Sequence, residues 1–158
     1  MILVALGSNL DGPWGSPRQA VMRALAELNQ FPLRLKKGSG LIITKPYGVV
    51  NQPDFVNAVA LIETALSPEA LMAKLHAIER AAGRRRRKRW GPRCLDLDLL
   101  DYHGLRRSGA RNTLKPLRLP HPGIAERRFV LAPLLEVAPS WHHPITHLTA
   151  NDMLKKLR

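Results

Sequence analysis

Asp96 and Asp98 are separated by one residue in the stretch Leu95 to Tyr102, LDLDLLDY, whose opening leucines alternate with them. That alternation is the period of a β-strand. On a strand, residues two apart share a face and lie roughly 6 to 7 Å apart, so both carboxylates project together while Leu95, Leu97 and Leu99 turn into the core. Like charges held side by side cost energy unless a cation sits between them. Hard oxygen donors in such a pair suit Mg²⁺, and two ions about 3.5 to 4 Å apart would clamp a displacement at phosphorus. The same D-x-D would also suit a solvated strand face, and Asp101, on the opposite parity, is a poor third ligand.

Directly upstream, residues 84 to 93 read RRRRKRWGPR, with seven positive charges and no negative one. Neutralisation by Arg and Lys is the other half of phosphoryl-transfer chemistry, and guanidinium forks bind phosphate oxygens bidentately. An isolated run of this kind also fits an RNA-binding patch or a solvated tail. Here Trp90, Gly91-Pro92 and the two carboxylates fall in the same short stretch. An RNA-binding loop does not need the acidic pair and is weakened by it.

The formal net charge of +13 on 158 residues points to an anionic partner, and more than half of the excess lies in this one segment. A focused cationic loop suits a compact triphosphate as well as a long polyanion. Hydrophobic residues make up 45% of the chain against 23% charged, a globular composition, and the length predicts a single domain over 1–158. No apolar stretch approaches the roughly 20 residues of a membrane span, so no membrane partner is expected. The opening MILVALGSNL reads as a buried first strand and not as a signal peptide. With Cys94 as the sole cysteine, an internal disulfide is excluded and a reducing, cytoplasmic setting is expected.

The elements that must position these residues follow from pattern. Ile2 to Leu6 predicts a strand ended by Gly7-Ser8-Asn9. Ser16-Pro17-Arg18-Gln19 predicts a capping box opening a helix that presents Val21, Leu25 and Leu28. Residues 33 to 44 predict a half-buried strand with a Gly-Ser-Gly interruption, and Phe55 to Thr64 a third strand of β-branched and aromatic content. Ser67-Pro68-Glu69 starts a further helix carrying Leu71, Leu75, Ile78 and Ala82. A turn is expected near Arg107 to Asn112, then a short segment to Leu119, a Pro-His-Pro corner, a helix over Arg128 to Val137 and a last one from about Asn151. The order strand, helix, strand, strand, helix, strand describes a ferredoxin-like α+β sandwich with its helices stacked on one face of the antiparallel sheet. For the chain as a whole, the expectation is a ferredoxin-like antiparallel sheet with helices packed on its faces.

Arg89-Trp90-Gly91-Pro92-Arg93-Cys94-Leu95-Asp96-Leu97-Asp98 resembles the signature R-W-G-P-R-x-L-D-[IL]-D of the 6-hydroxymethyl-7,8-dihydropterin pyrophosphokinase family. Three further segments fall in that family's order: Ala5 to Leu10, Asn51 to Ala58, and Pro120-His121-Pro122 with Arg127-Arg128-Phe129. The resemblance implies transfer of an intact diphosphate from ATP to the hydroxymethyl group of the dihydropterin in folate biosynthesis, releasing AMP. It implies that Asp96 and Asp98 hold two Mg²⁺ ions, and that Arg86 and Arg93 neutralise the phosphates during attack. ATP contacts carry over to His76, Arg84, Arg86, Arg89, Trp90, Arg93, His121 and Arg127. Pterin contacts carry over to Thr44, Lys45, Tyr47, Phe55, Asn57, Trp90, Asp96 and Phe129. The phenylalanines would stack the flat bicycle and Asn57 would read its amide edge. The resemblance favours a monomer, with ATP and the dihydropterin as partners and no nucleic acid. Departures from its pattern are a basic segment about one residue shorter, Arg118 in place of a small hydroxyl residue, and Lys45 and Tyr47 in place of a proline and an aliphatic residue.

Two other readings of the same residues stay open at this level. An RNA-binding module would bind with strong salt dependence and without need of Asp96 or Asp98. A two-metal nuclease would use the same carboxylates but usually has more acidic ligands nearby. His142, His143 and His147 lie outside every matched motif and read as surface residues.

Overall fold

In the computed structural model of the chain, which describes residues 1–45, 51–83, 93–109 and 117–157, the apolar run Ile2–Ser8 becomes strand β1. After it come α1 (Pro17–Glu27), β2 (Leu33–Gly38), β3 (Ile42–Thr44), β4 (Phe55–Thr64), α2 (Pro68–Ala81) and β5 (Asp96–Tyr102). The short strands β6 (Arg107–Ser108) and β7 (Arg118–Leu119), a 3-10 turn (Ile124–Glu126), α3 (Arg128–Val137) and α4 (Ala150–Lys156) complete the described elements.

The main sheet runs β2-β4-β1-β5, with β3 paired to the same edge of β4 as β2. Every pairing is antiparallel. Taken as one interrupted strand, β2 and β3 complete the ferredoxin-like arrangement. The interruption at Gly38-Ser39-Gly40 keeps its backbone bonds: Ser39 N–H donates to the Val59 carbonyl at 2.9 Å, and Ser39 Oγ accepts from Val59 N–H at 2.9 Å. Two helix starts carry the caps that their sequences predict, and α4 carries one more. Ser16 and Gln19 form the capping box of α1, Ser67 caps α2, and Thr149 with Asp152 forms a capping box on α4.

Both faces of the sheet are covered, which is why β1 is an unbroken apolar run and not an alternating one. Ile2, Val4 and Leu6 turn to one face with Leu97 and Leu99, against Val21 of α1 and Leu71 and Leu75 of α2. On the other face Leu3, Val59 and Leu100 meet Leu131 and Leu134 of α3, Met153 of α4 and Trp141. Each such aliphatic side chain contributes about 1.5 to 3 kcal/mol on burial. The expectation of helices on one face is therefore corrected: α1 and α2 pack on one side, α3 and α4 on the other.

A bulge in β5 corrects a second expectation. Val4 pairs with Leu99 but Leu3 pairs with Asp101, leaving Leu100 as the extra residue. Leu100 and Asp101 both turn to the α3–α4 face, so Asp101 is on the same side as Asp96 and Asp98 and not on the opposite parity. It is only 3% exposed and committed elsewhere: Oδ2 accepts from Trp141 Nε1 at 2.7 Å and Oδ1 from Gly104 N–H at 3.0 Å. Arg107, expected in a turn, pairs instead with Leu119 in the β6–β7 ribbon. No helix among the described residues is long and apolar enough to cross a membrane.

Candidate active site

On the α3 side of the sheet, three strands present short or polar side chains where the helices stop covering them. Ala5 and Gly7 of β1 lie between Phe55 and Asn57 of β4 and Asp96 and Asp98 of β5, and together these form the floor of a cavity of about 400 Å³. That volume is in the range of small-ligand sites. Register explains the grouping, since Gly7 is the cross-strand partner of both Asn57 and Asp96, and Ala5 is the partner of Asp98. Alternation does the rest, carrying Leu97 and Leu99 to the opposite core while the two carboxylates stay half-buried on the cavity floor.

Gly7 is glycine for a steric reason. A Cβ there would lie 2.9 Å from Asn57 Oδ1. The Asn57 amide is oriented from its other end, Nδ2 donating to Thr44 Oγ1 at 2.6 Å. Thr44 pairs with Phe55, so β3 brings Thr44 and Lys45 to the same wall.

The opposite wall comes from the segment after β7 and from the start of α3: His121, Pro122, Arg127, Phe129 and Val130. His121 N–H donates to the Leu100 carbonyl of β5 at 2.8 Å, fastening this wall to the strand that bears the carboxylates. The imidazole Nδ1 accepts from Gly123 N–H at 3.0 Å, which leaves the proton of the neutral ring on Nε2 as a donor. Burial, and secondarily the nearby Arg127 guanidinium, push the His121 pKa down to about 4, against a smaller upward pull from Asp96. Near neutral pH His121 is therefore an uncharged donor beside a carboxylate and a guanidinium. Arg127 lies 5.9 Å from the centroid of the Phe129 ring and packs on Gly123, where a Cβ would come within 2.7 Å of its Nε. Arg93 completes the cationic side of the cavity.

Ten of the residues expected at the site thus line one cavity: Thr44, Lys45, Phe55, Asn57, Arg93, Asp96, Asp98, His121, Arg127 and Phe129. His76 sits on α2, half-buried and outside that lining. Arg118, in β7, is exposed and also outside it. Tyr47, Arg84, Arg86, Arg89 and Trp90 lie outside the described residues. Ala5, Gly7 and Pro122 were not expected as site residues. Gly7 opens a Gly-Ser-Asn run, but its proximity to Asn57 depends on a strand pairing that spans 50 positions, Gly7 to Asn57.

Among the described residues no group of three or more His, Cys, Asp or Glu could hold a metal on its own. Two carboxylates facing a cavity with cationic walls nonetheless fit Mg²⁺, which is commonly held by one or two protein carboxylates together with substrate phosphates.

A sheet floor bearing paired carboxylates, beneath a wall of Arg93, Arg127 and an uncharged His121, is the site of a phosphoryl-transfer enzyme. Residues 3–139 match the family described as 7,8-dihydro-6-hydroxymethylpterin-pyrophosphokinase. The chain is 42% identical over 144 residues to a 2-amino-4-hydroxy-6-hydroxymethyldihydropteridine pyrophosphokinase of Pseudomonas aeruginosa, covering 90% of this chain and 83% of that one. It is 42% identical over 135 residues to the Haemophilus influenzae protein of the same name, covering 85% and 79%. To the folic acid synthesis protein fol1 of Pneumocystis carinii it is 33% identical over 156 residues, 99% of this chain but only 20% of that protein. The chain belongs to the 7,8-dihydro-6-hydroxymethylpterin-pyrophosphokinase family. Its reaction is pyrophosphoryl transfer from ATP to a hydroxymethyldihydropterin in folate synthesis.

Proposed function

We propose that the cavity is where the two substrates of this reaction meet. The dihydropterin lies between Phe55 and Phe129, with Asn57 reading its amide edge and Thr44, Lys45 and Tyr47 completing that end. The β-phosphate of ATP lies over Asp96 and Asp98. The observation that carries this reading is the register that brings Asn57 and Asp96 to either side of Gly7, so that a carboxamide and a carboxylate face the same space.

Asp96 and Asp98 would hold two Mg²⁺ ions, which supply charge neutralisation on the triphosphate and polarisation at the β-phosphorus. The protein's own residues do the remaining work. The new bond joins the hydroxymethyl oxygen to the β-phosphorus, and the bond broken joins that phosphorus to the oxygen bridging it to the α-phosphate. AMP keeps that oxygen, and the hydroxyl proton is released. Arg93 and Arg86 neutralise the charge that spreads over the transferring group, with Arg84, Arg89 and Arg127 assisting. His121, an uncharged donor through Nε2, hydrogen-bonds the α-phosphate as AMP leaves. By the family resemblance Trp90 is assigned to the pterin and the nucleotide, and His76 of α2 to the nucleotide.

We further assign the whole of 1–158 to one pyrophosphokinase domain acting as a cytoplasmic monomer, with no nucleic-acid partner. Incubation with ATP, Mg²⁺ and 6-hydroxymethyl-7,8-dihydropterin tests the reading. AMP and the pterin diphosphate are expected, and ADP as the nucleotide product would contradict it. RNA binding that is indifferent to Asp96→Ala and Asp98→Ala, with no ATP turnover, would favour the RNA-binding alternative.

A further inference from the structure

Asn9 lies just past the end of β1, the strand flanked on one side by β4 and on the other by β5. It is 1% exposed and does not line the cavity. Its side chain holds a segment on each side of it. Nδ2 donates to Gln52 Oε1 at 2.7 Å and to the Pro53 carbonyl at 2.9 Å, in the stretch that leads into Phe55. Oδ1 accepts from Arg93 N–H at 2.9 Å, and the Asn9 backbone N–H donates to the Arg93 carbonyl at 3.0 Å. Its neighbour Ser8 adds a bond from Oγ to the Cys94 carbonyl at 2.7 Å.

Asn9 therefore uses both halves of its amide on two segments that come from opposite sides of the cavity. One runs directly into the aromatic wall at Phe55, and the other carries Arg93 and runs into Asp96. A carboxamide is the smallest side chain that can accept on one side and donate twice on the other. Alanine would keep only the backbone bond to Arg93 and none of the three side-chain bonds, and aspartate would keep only the side-chain acceptor.

We propose that Asn9 is a positioning residue that sets the spacing between the pterin wall and the phosphate wall, so that occupancy of one wall orders the other. The inference rests on the reading of the cavity given above. Buried and fully bonded, Asn9 transmits a shift of Pro53 to Arg93 without touching either substrate.

The test is Asn9→Asp in the full chain, an isosteric change that retains the acceptor for Arg93 N–H but sets a carboxylate oxygen against the Pro53 carbonyl. Affinity for α,β-methylene ATP should stay within about twofold, because the Arg93 bond survives. The KM for the dihydropterin should rise about tenfold, as expected for loss of a buried hydrogen-bonding donor. Pterin binding measured with and without the analogue should lose its dependence on the nucleotide. Unchanged KM values, or equal losses for both substrates that follow a fall in Tm, would overturn the proposal.

Hydrogen exchange on the unaltered protein tests the same coupling if the variant does not fold. α,β-Methylene ATP with Mg²⁺, in the absence of the pterin, should slow exchange of the Phe55 amide, and no change there would overturn the proposal. Absence of binding of either substrate to the unaltered protein would instead count against the reading of the cavity itself. Binding of both, with Asn9→Asp behaving as the parent, would count against the role of Asn9 alone.

Discussion

Gly7 and Asn57 face each other across the β1–β4 pair so closely that any Cβ at position 7 would press on the Asn57 amide oxygen, at 2.9 Å. Gly7→Ala should therefore act on the end of the site proposed for the pterin more than on the fold. Overpacking of this kind costs about 1 to 3 kcal/mol, and its expression through a displaced Asn57 predicts roughly tenfold weaker dihydropterin binding. Calorimetric titration of each substrate checks it: nucleotide affinity should stay within about twofold.

Thr44 holds the same amide from its other end, through the 2.6 Å bond from Asn57 Nδ2. Thr44→Val keeps the shape and removes the acceptor. Loss of one such bond, about 1 kcal/mol, should raise the pterin KM roughly fivefold and leave kcat near its parent value. A fall in kcat with no change in KM would place the effect elsewhere.

Asp96 and Asp98 share the cavity floor. On the proposed Mg²⁺ role, Asp96→Asn combined with Asp98→Asn should lower kcat by on the order of 10³ or more, since the charge stabilisation of several kcal/mol that such ions supply would be lost. Mg²⁺ together with an ATP analogue should raise the Tm of the parent protein and not of the double variant, and chelation with EDTA should abolish the parent's shift. Thermal melts under those conditions decide the point.

His121 makes acid stability testable. Its folded pKa is depressed to about 4 from an ordinary value of 6.5, chiefly by burial. Protons therefore bind the unfolded chain more readily, so the group's contribution is fully present above pH 6.5 and is lost as pH falls from there towards 4. With allowance for its partial exposure, the loss amounts to roughly 1 to 2 kcal/mol by pH 4.5. Urea unfolding of His121→Gln and its parent at pH 7 and pH 4.5 should show a shallower acid loss in the variant. Parallel losses would mean that His121 is not buried as an uncharged ring.

Trp141 is the partner of the buried Asp101. Trp141→Phe preserves most of the packing but leaves Asp101 Oδ2 without its donor, at a cost of about 1 to 3 kcal/mol. The measurement is the denaturation midpoint of the variant, with ATP turnover at low temperature expected to survive.

Much of the scaffold was legible because local chemistry dictates it. The caps at Ser16 and Ser67, the strand Phe55–Thr64, the helix Arg128–Val137 and the alternation through Asp98 all depend on neighbours within a few positions. The faces were less legible. One-face packing was expected from the order of elements alone, whereas the unbroken ILVAL of β1 already needed cover on both sides. The bulge at Leu100 had no local signal, since LDLDLLDY reads equally well with Asp101 turned either way, and only the pairing with Leu3 and the reach of Trp141 turn it to the α3–α4 face.

From its sequence alone, then, the chain determined which side chains could do the chemistry: adjacent carboxylates on a strand, a dense guanidinium segment, and a few aromatic and amide groups. Tertiary structure decided which of them share a space. Gly7 is next to Asn57 and Asp96, and Asn9 reaches both Pro53 and Arg93, only because β1 runs between β4 and β5. Such contacts depend on register between strands far apart in the chain, set by the packing of two cores and not by any residue's neighbours.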